Sequence, residues 1–473
     1  MTRQSRLILC IGVLMHFGYL LAAQSFYFGA DLSYVNEMED CGVIYKENQS
    51  PKDPFQIFAD HNCNLVRLRL WHTPAWYDDL NSGERYSDFT DVKRSIARAK
   101  EQGMEVLLDF HLSDNWADPG KQIVPAAWLG VVNDLPKLKD SLYAYITSTL
   151  LALHQEDLLP EMVQIGNETN KGILLSPEDN SNSGIDWNRN SQLFNRAIQA
   201  IEVVELITQK EIKIAIHVAG PDAGDWLING FIENGVTDFE VIGISYYWAW
   251  HQPTTIEQTG QIIGDLRTSL PDKEVIIFET GYIWTTEFND NANNIINATH
   301  PDYSPPSPQA QKQWLIDLTT EVIEHGGSGV IYWEPAWVSS SCWTQWGQGS
   351  HQEHATFFDF DNNLIEDGGI SWMEESYPTS INTILKIESV SIFLNQSAQQ
   401  LIIKDPKMEI DTSSILQINN LNGQTLFSSS ITSLNKSGNE YRIRWPEMPP
   451  AIYVVSIWSQ KKEVYSKKIN YIK

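Results

Sequence analysis

Two glutamates stand where carboxyl chemistry would need them. Glu168 follows the apolar run Met162–Ile165 in the text QIGNET, and Glu279 closes a second run, Glu274–Phe278, just ahead of Thr280 and Gly281. Glycoside hydrolysis needs such a pair: one carboxylic acid protonates the leaving oxygen, while one carboxylate attacks the sugar or activates water. A separation of about 5 Å gives retention of configuration and about 6.5–9.5 Å gives inversion. A single glutamate is most often a solvated or salt-bridged side chain. Placement at strand ends, with Asn167 beside one of them, lifts these two above that reading. Metal-dependent hydrolysis is the weaker reading, because His111 and His217 lack HExxH or His-x-His spacing.

The elements that must position the pair are short apolar runs alternating with longer amphipathic segments. The runs are Tyr27–Leu32, Leu65–Leu70, Met104–Phe110, Met162–Ile165, Ile212–Val218, Glu240–Ser245, Glu274–Phe278 and Gly329–Trp333. Helical text lies between most of them, as in FTDVKRSIARAKEQG with Gly103 as its stop. The alternation predicts the α/β class and a (β/α)8 TIM barrel. A doubly wound sheet would need a glycine-rich phosphate turn after the first strand, and Ser33-Tyr34-Val35-Asn36 does not supply one. Chemistry in a barrel sits where strands run out at their C-terminal ends. Read in order, those ends carry Asp31; Arg67, Arg69 and Trp71; Asp109 and His111; Asn167 and Glu168; His217; Tyr246, Tyr247 and Trp248; Glu279; and Trp333 with Glu334. The period of two puts Arg67, Arg69 and Trp71 on the interior face of strand two. Buried guanidinium groups need acidic partners, so either arginine could hold a carboxylate ionised.

Composition bounds the rest. The chain has 473 residues with 33 Lys+Arg against 60 Asp+Glu, a balance of −27 that excludes nucleic acid as a natural partner. Seventeen Trp exceed what a core asks for, and part of them is expected at a binding surface. At the start, Arg3 and Arg6 precede an apolar run from Leu7 to about Leu21 and then Ala22-Ala23. This is the layout of a secretory signal peptide over residues 1–23, and it predicts a secreted or cell-surface protein whose mature chain does not insert in a membrane. Cys41, Cys63 and Cys342 fit no zinc pattern; a Cys41–Cys63 bridge and buried free thiols both remain open. From about Ile387 the text changes to short alternating runs separated by turn residues, which predicts a small all-β sandwich. The expected organisation is thus a signal over 1–23, a catalytic barrel over 24–385, and a C-terminal sandwich over 386–473.

More of the text becomes recognisable at this point. GADLSYVNEME, VRLRLWHTP, LLDFHLSDNWADPGKQIVPAAW, QIGNETNKGIL, FETGY and YWEPAWV occur in order between Gly29 and Val338. Together they resemble glycoside hydrolase family 53, retaining (β/α)8 endo-β-1,4-galactanases. The resemblance implies Glu168 as general acid/base and Glu279 as nucleophile, with Asn167 bonding the 2-hydroxyl of the sugar being cleaved. It further implies a substrate-binding role for Arg67, Arg69, Trp71, His111, Asp114, Trp116, Asn167, His217, Tyr246, Trp333 and Trp337. Trp343 and Trp346 become outer stacking platforms beside Trp337. The implied partner is β-1,4-galactan, the neutral side chain of pectin, cleaved by a monomer that requires no cofactor. Some bacterial members carry calcium in the loop after strand seven, where Asn289, Asp290, Asn291 and Asn293 offer oxygen ligands here, so a structural calcium ion is an expectation of the resemblance. A mannanase or glucanase of the same clan and a non-catalytic glycan-binding protein are the competing readings. The C-terminal module resembles the sorting domain of the type IX secretion system of Bacteroidota, through Leu421-Asn422-Gly423, Thr425-Leu426, Tyr453-Val454-Val455 and Lys467-Lys468-Ile469. Ala451 departs from that pattern, standing where a glycine is usual.

Overall fold

Runs rich in Val, Ile and Leu become eight parallel strands that close on themselves. They are β1 (Tyr27–Asp31), β2 (Leu65–Leu70), β3 (Glu105–Phe110), β4 (Met162–Ile165), β5 (Lys213–Ala219), β6 (Val241–Ser245), β7 (Glu274–Thr280) and β8 (Gly329–Tyr332). Each pairs with its sequence neighbour, and β8 returns to β1 with Tyr27 opposite Gly329, so the sheet has no edge. With helices between the strands this is a (β/α)8 barrel. The computed structural model describes residues 26–181, 184–377, 391–395, 399–405, 410, 414–419, 425–437, 440–446, 448–449, 451–459 and 462–471. The expected signal at 1–23, the expected boundary at 385 and the tripeptide Leu421-Asn422-Gly423 lie outside the described residues.

The helices are built as their sequences dictate. Helix α1 (Val35–Asp40) follows β1 directly. Helix α2 (Phe89–Glu101) starts at Asp88, whose carboxylate accepts from the amides of Thr90 and Asp91, and carries Arg98 and Lys100 in its last turn. Its Val92, Ile96 and Ala99 are buried on one face, and the chain turns away through Gly103 at φ +76°.

Inside the barrel the residues stack in layers. Tyr27, Leu65, Leu107, Met162, Ala215, Val241, Ile276, Phe278 and Ile331 form one apolar cluster. Two residues further along four of these strands stand Arg67, Asp109, Gln164 and His217, all buried. An apolar plug therefore underlies a polar layer.

The remaining described residues form two four-stranded antiparallel sheets, placed in sequence between Ser391 and Tyr471. Ile392, Leu401 and Ile403 of one sheet share a core with Leu416, Ile418, Val455 and Ile457 of the other.

Of the two open readings of the cysteines, the Cys41–Cys63 bridge is not formed and a buried free thiol is present. Cys41 is bonded to Cys342, 301 residues away, and Cys63 is the buried free thiol. The fold brings the end of α1 beneath the loop that follows β8, which joins two cysteines that no sequence feature paired.

Candidate active site

Glu168 and Glu279 line the same cleft, a cavity of about 680 Å³ at the C-terminal ends of the strands. Its walls include Trp116, Asp118, Asn167, Tyr247, Trp250, Trp333, Trp337 and Trp346. Glu168 leaves β4 through Gly166, whose φ is +73° and where a Cβ would stand 2.8 Å from Thr169 Cγ2 and 2.9 Å from Ile173 Cγ2. Only glycine satisfies both demands. Glu168 itself holds φ +46°, a conformation that is sparsely populated for a non-glycine residue and clusters at functional sites.

Glu279 reaches the interior through an irregularity. Strict alternation along β7 would turn it outward, because Phe278 already points into the barrel plug. Across this point β6 advances from Ile244 to Ser245 while β7 advances from Ile277 to Glu279, and β8 shows the matching shift between Val330 and Tyr332. One extra residue in β7 re-aims the carboxylate, as bulges do.

Arg67 organises the floor. Its Nε donates to Gln164 Oε1 at 3.0 Å, Nη1 to Asp31 Oδ2 at 2.8 Å, and Nη2 to Asp109 Oδ2 at 3.0 Å and Asn167 Oδ1 at 2.7 Å. Nη1 also lies 2.8 Å from Glu279 Oε1, so all five N–H groups have a partner. Tyr247 donates from its hydroxyl to the other oxygen of Glu279 at 3.2 Å. Strand parity left Arg67 and Arg69 equivalent; the structure separates them. Arg69 pairs with Glu334 at 3.0 Å and lies among the rings of Tyr34, Trp71 and Trp116, 4.2–4.6 Å from their centroids.

The two carboxyls differ in their surroundings. Burial first, and then the charge of Glu279, push Glu168 up to about 8, opposed by a hydrogen bond from Ser245. Burial also lifts Glu279, to about 7, but Arg67 pulls it back while Asp31 and Asp109 push the other way. The cation therefore favours charge on Glu279, leaving Glu168 as the better holder of a proton. His217 is kept neutral by burial and by Arg67. Its Nδ1 lies 2.9 Å from Asn167 Oδ1, 3.1 Å from Gln164 Nε2 and 3.3 Å from the Glu168 amide nitrogen, and its Nε2 lies 2.9 Å from Ser245 Oγ. His111 is also held neutral by burial, its Nδ1 2.7 Å from Asp109 Oδ2.

Of the residues singled out from sequence, Asn167, Glu168, Glu279, Trp116, Trp333, Trp337 and Trp346 line the cleft. Arg67, Arg69, Trp71, His111 and His217 lie buried around it and do not line it. Asp114 braces loops, its two oxygens accepting from the amides of Thr73 and Ala126 at 2.8 Å each. Trp343 is half-exposed and outside the lining. Tyr246 is a correction: its hydroxyl donates to the Thr254 carbonyl at 2.8 Å and its ring stacks on Trp314. The residue beyond it, Tyr247, takes the cleft position. Sequence reasoning also passed over Gln164 and Gln122. Gln122 Nε2 donates to the carbonyls of Asn167 at 2.7 Å and Glu168 at 3.1 Å. Only inward parity on β4 could have flagged Gln164, and nothing local flags Gln122.

In the loop after β7 the one candidate carboxylate already has protein partners. Both oxygens of Asp290 accept backbone amides, from Ala292 and Ser350 at 2.8 Å each. Asn293 uses its carbonyl to accept from His351 Nδ1 at 2.7 Å. Among the described residues no group of three or more His, Cys, Asp or Glu side chains is placed to hold a metal ion.

Comparison with known proteins gives a consistent assignment. The family described as "Glycosyl hydrolase family 53" matches residues 27–367. The chain is similar to an arabinogalactan endo-β-1,4-galactanase of Cellvibrio japonicus, 46% identical over 337 residues, covering 71% of this chain and 86% of the relative. It is 32% identical over 350 residues to an endo-β-1,4-galactanase of Bacillus subtilis, covering 70% and 77% of the two chains. Among solved structures, a catalytic domain of the same family from Ignisphaera aggregans superposes with a TM-score of 0.66 at 30% identity, covering 76% of this chain and 98% of that one.

Proposed function

The chain belongs to glycosyl hydrolase family 53, and from that membership together with the cleft's geometry we propose that it cleaves β-1,4-galactosidic bonds within arabinogalactan side chains of pectin, with retention of configuration. Glu168 protonates the departing glycosidic oxygen while Glu279 attacks the anomeric carbon. The glycosyl-enzyme is then hydrolysed by water that Glu168, now a carboxylate, deprotonates. The observation that carries this reading is the unequal support of two carboxyls in one cleft. Arg67 and Tyr247 hold both oxygens of Glu279, whereas Glu168 sits half-buried beside Ser245 and, among the described residues, forms no ion pair. Asn167 is aimed by Arg67 and by a bond from its Nδ2 to the Ala117 carbonyl at 2.8 Å, which leaves one N–H for a sugar hydroxyl.

Reducing-sugar release from β-1,4-galactan, β-mannan and carboxymethylcellulose tests the substrate. Hydrolysis of galactan to short oligomers is expected, and preference for mannan or cellulose would favour the other sugars of the clan. The protein acts as a monomer without a required cofactor and is exported through residues 1–23. Its C-terminal module serves type IX sorting, so deleting residues 386–473 would leave activity inside the cell envelope.

A further inference from the structure

The disulfide Cys41–Cys342 and the side chain of Asn81 grip one short hairpin, and that hairpin carries a wall of the cleft. The hairpin pairs Trp343–Thr344 with Gly347–Gln348 in the loop after β8. Trp346 sits in its turn, lines the cleft and is 41% exposed. Its ring meets Trp76 edge-on at 5.5 Å and lies 6.2 Å from Trp116, which itself lies 5.7 Å from Trp333. Trp333, Trp116 and Trp346 thus form an aromatic series along the cleft that holds both glutamates, with Trp76 packed against the indole at the hairpin.

A surface hairpin of two residue pairs has little stability of its own. Here it is held at two points. Cys342, the residue before its first strand, is bonded to Cys41 at the end of α1. Asn81, in the loop after β2, makes two bonds to the backbone of Trp343: Nδ2 donates to the carbonyl at 2.7 Å, and Oδ1 accepts from the amide at 2.8 Å. The amide side chain thus pairs with Trp343 as a third strand would. Asn81 is itself aimed by buried Glu37, whose Oε1 lies 3.3 Å from Nδ2 and whose Oε2 accepts from the Tyr77 hydroxyl at 2.7 Å. Ser341 adds a bond from its hydroxyl to the Cys41 carbonyl at 3.1 Å.

We propose that Cys41, Cys342 and Asn81 are positioning residues that act through Trp346, fixing it as a stacking surface for sugar units away from the bond being cleaved. The inference rests on the galactan reading of the cleft. An indole stacks on a sugar face only if it is already oriented, since ordering a loop on binding costs affinity. Stacking on a unit away from the reacting bond is equal in the ground and transition states, so it lowers KM for long chains and leaves kcat where it was.

The test compares the wild type with Cys41→Ser/Cys342→Ser, Asn81→Ala, Trp346→Ala, and Trp346→Ala combined with each of the first two, on galactan and on an aryl β-galactoside. For the cysteine pair and for Asn81→Ala, KM on galactan should rise roughly threefold or more, with kcat on galactan and turnover of the aryl substrate held. In the Trp346→Ala background the same changes should add nothing further to KM. Melting followed by circular dichroism reads any general loss of folding. Asn81→Ala keeps the disulfide, so the proposal stays testable should the cysteine variant unfold. Unchanged KM in both variants, or equal additive losses with and without Trp346, would overturn it. A wild type inactive on galactan would instead remove the reading of the substrate.

Discussion

At the scale of single residues, the site divides two similar carboxyls by what stands next to them. Glu168→Gln should lose about 10²–10⁴-fold in kcat on galactan, the usual weight of a general acid, yet keep most turnover of an aryl glycoside whose leaving group needs no proton. Equal losses on both substrates would take the acid role from Glu168. Glu279→Gln should abolish both activities, because no covalent step is left. The directions of the two pKa shifts set the pH dependence. Glu279 must be ionised, so activity falls as pH drops through its value; Glu168 must be protonated, so activity falls as pH rises through its higher one. Arg67 lowers the proton affinity of Glu279 from 2.8 Å. Replacing Arg67 with Met should therefore move the acid limb of kcat/KM to higher pH while sparing the alkaline limb, and a profile displaced only at the alkaline side would contradict the assignment. Both glutamates and Asn167 were legible in the sequence because each ends an apolar run. The choice of Arg67 over Arg69 was not, since both share one face of β2 and only the neighbouring strands distinguish them.

At the scale of elements, the bulge in β7 decides which side chains face the cleft. All eight strands were legible from their apolar runs to within about two residues at either end. Alternation alone, however, misdirects the reading wherever an extra residue enters a strand. Counting by twos from Phe278 would point Glu279 outward, and nothing local in Phe278-Glu279-Thr280 announces the bulge. Beyond the last paired residue of β6, parity no longer applies, so alternation offered no check on the choice of Tyr246 over Tyr247. The structure gives them opposite duties, and the pair of Phe variants separates these. Tyr247→Phe removes the donor to Glu279, so it should lower kcat and shift the acid limb upward with little change in melting temperature. Tyr246→Phe breaks a buried bond to the Thr254 carbonyl and should cost about 1 kcal/mol of stability with kcat held. Kinetic loss in Tyr246→Phe with none in Tyr247→Phe would reverse the assignment. The disulfide was illegible for a related reason: its partners lie 301 residues apart, and only the closed barrel brings them together.

At the scale of the whole molecule, the two largest apolar cores among the described residues share no side chain. One runs through the barrel and its helices, from Ala30 to Met373; the other runs from Ile392 to Tyr471. A domain that buries its own apolar surface needs no neighbour to fold. The barrel side also finishes its own seam. The Tyr377 hydroxyl donates to the Trp372 carbonyl at 2.6 Å, and the rings of Trp372 and Tyr377 lie 5.2 and 5.6 Å from that of Phe28 beside β8. The loops after β7 and β8 are likewise fastened by the protein itself, through Asp290 to the Ser350 amide, Glu353 to the Asn289 amide at 2.9 Å, and His354 Nε2 to the Ile296 carbonyl at 2.6 Å. With that many direct fastenings, a chelator should leave the melting temperature where it was, and a drop of several degrees restored by calcium would show that an ion helps hold the loops. A chain ending at Tyr377 keeps every one of these contacts. It should therefore melt within about 2 °C of the full chain and hydrolyse galactan with the same kcat and KM, because among the described residues the barrel core takes no side chain from beyond Tyr377. A large fall in melting temperature would show that the β-sandwich supports the barrel as well as following it in the chain. A rise in KM at unchanged melting temperature would instead give the sandwich a share in holding the polysaccharide.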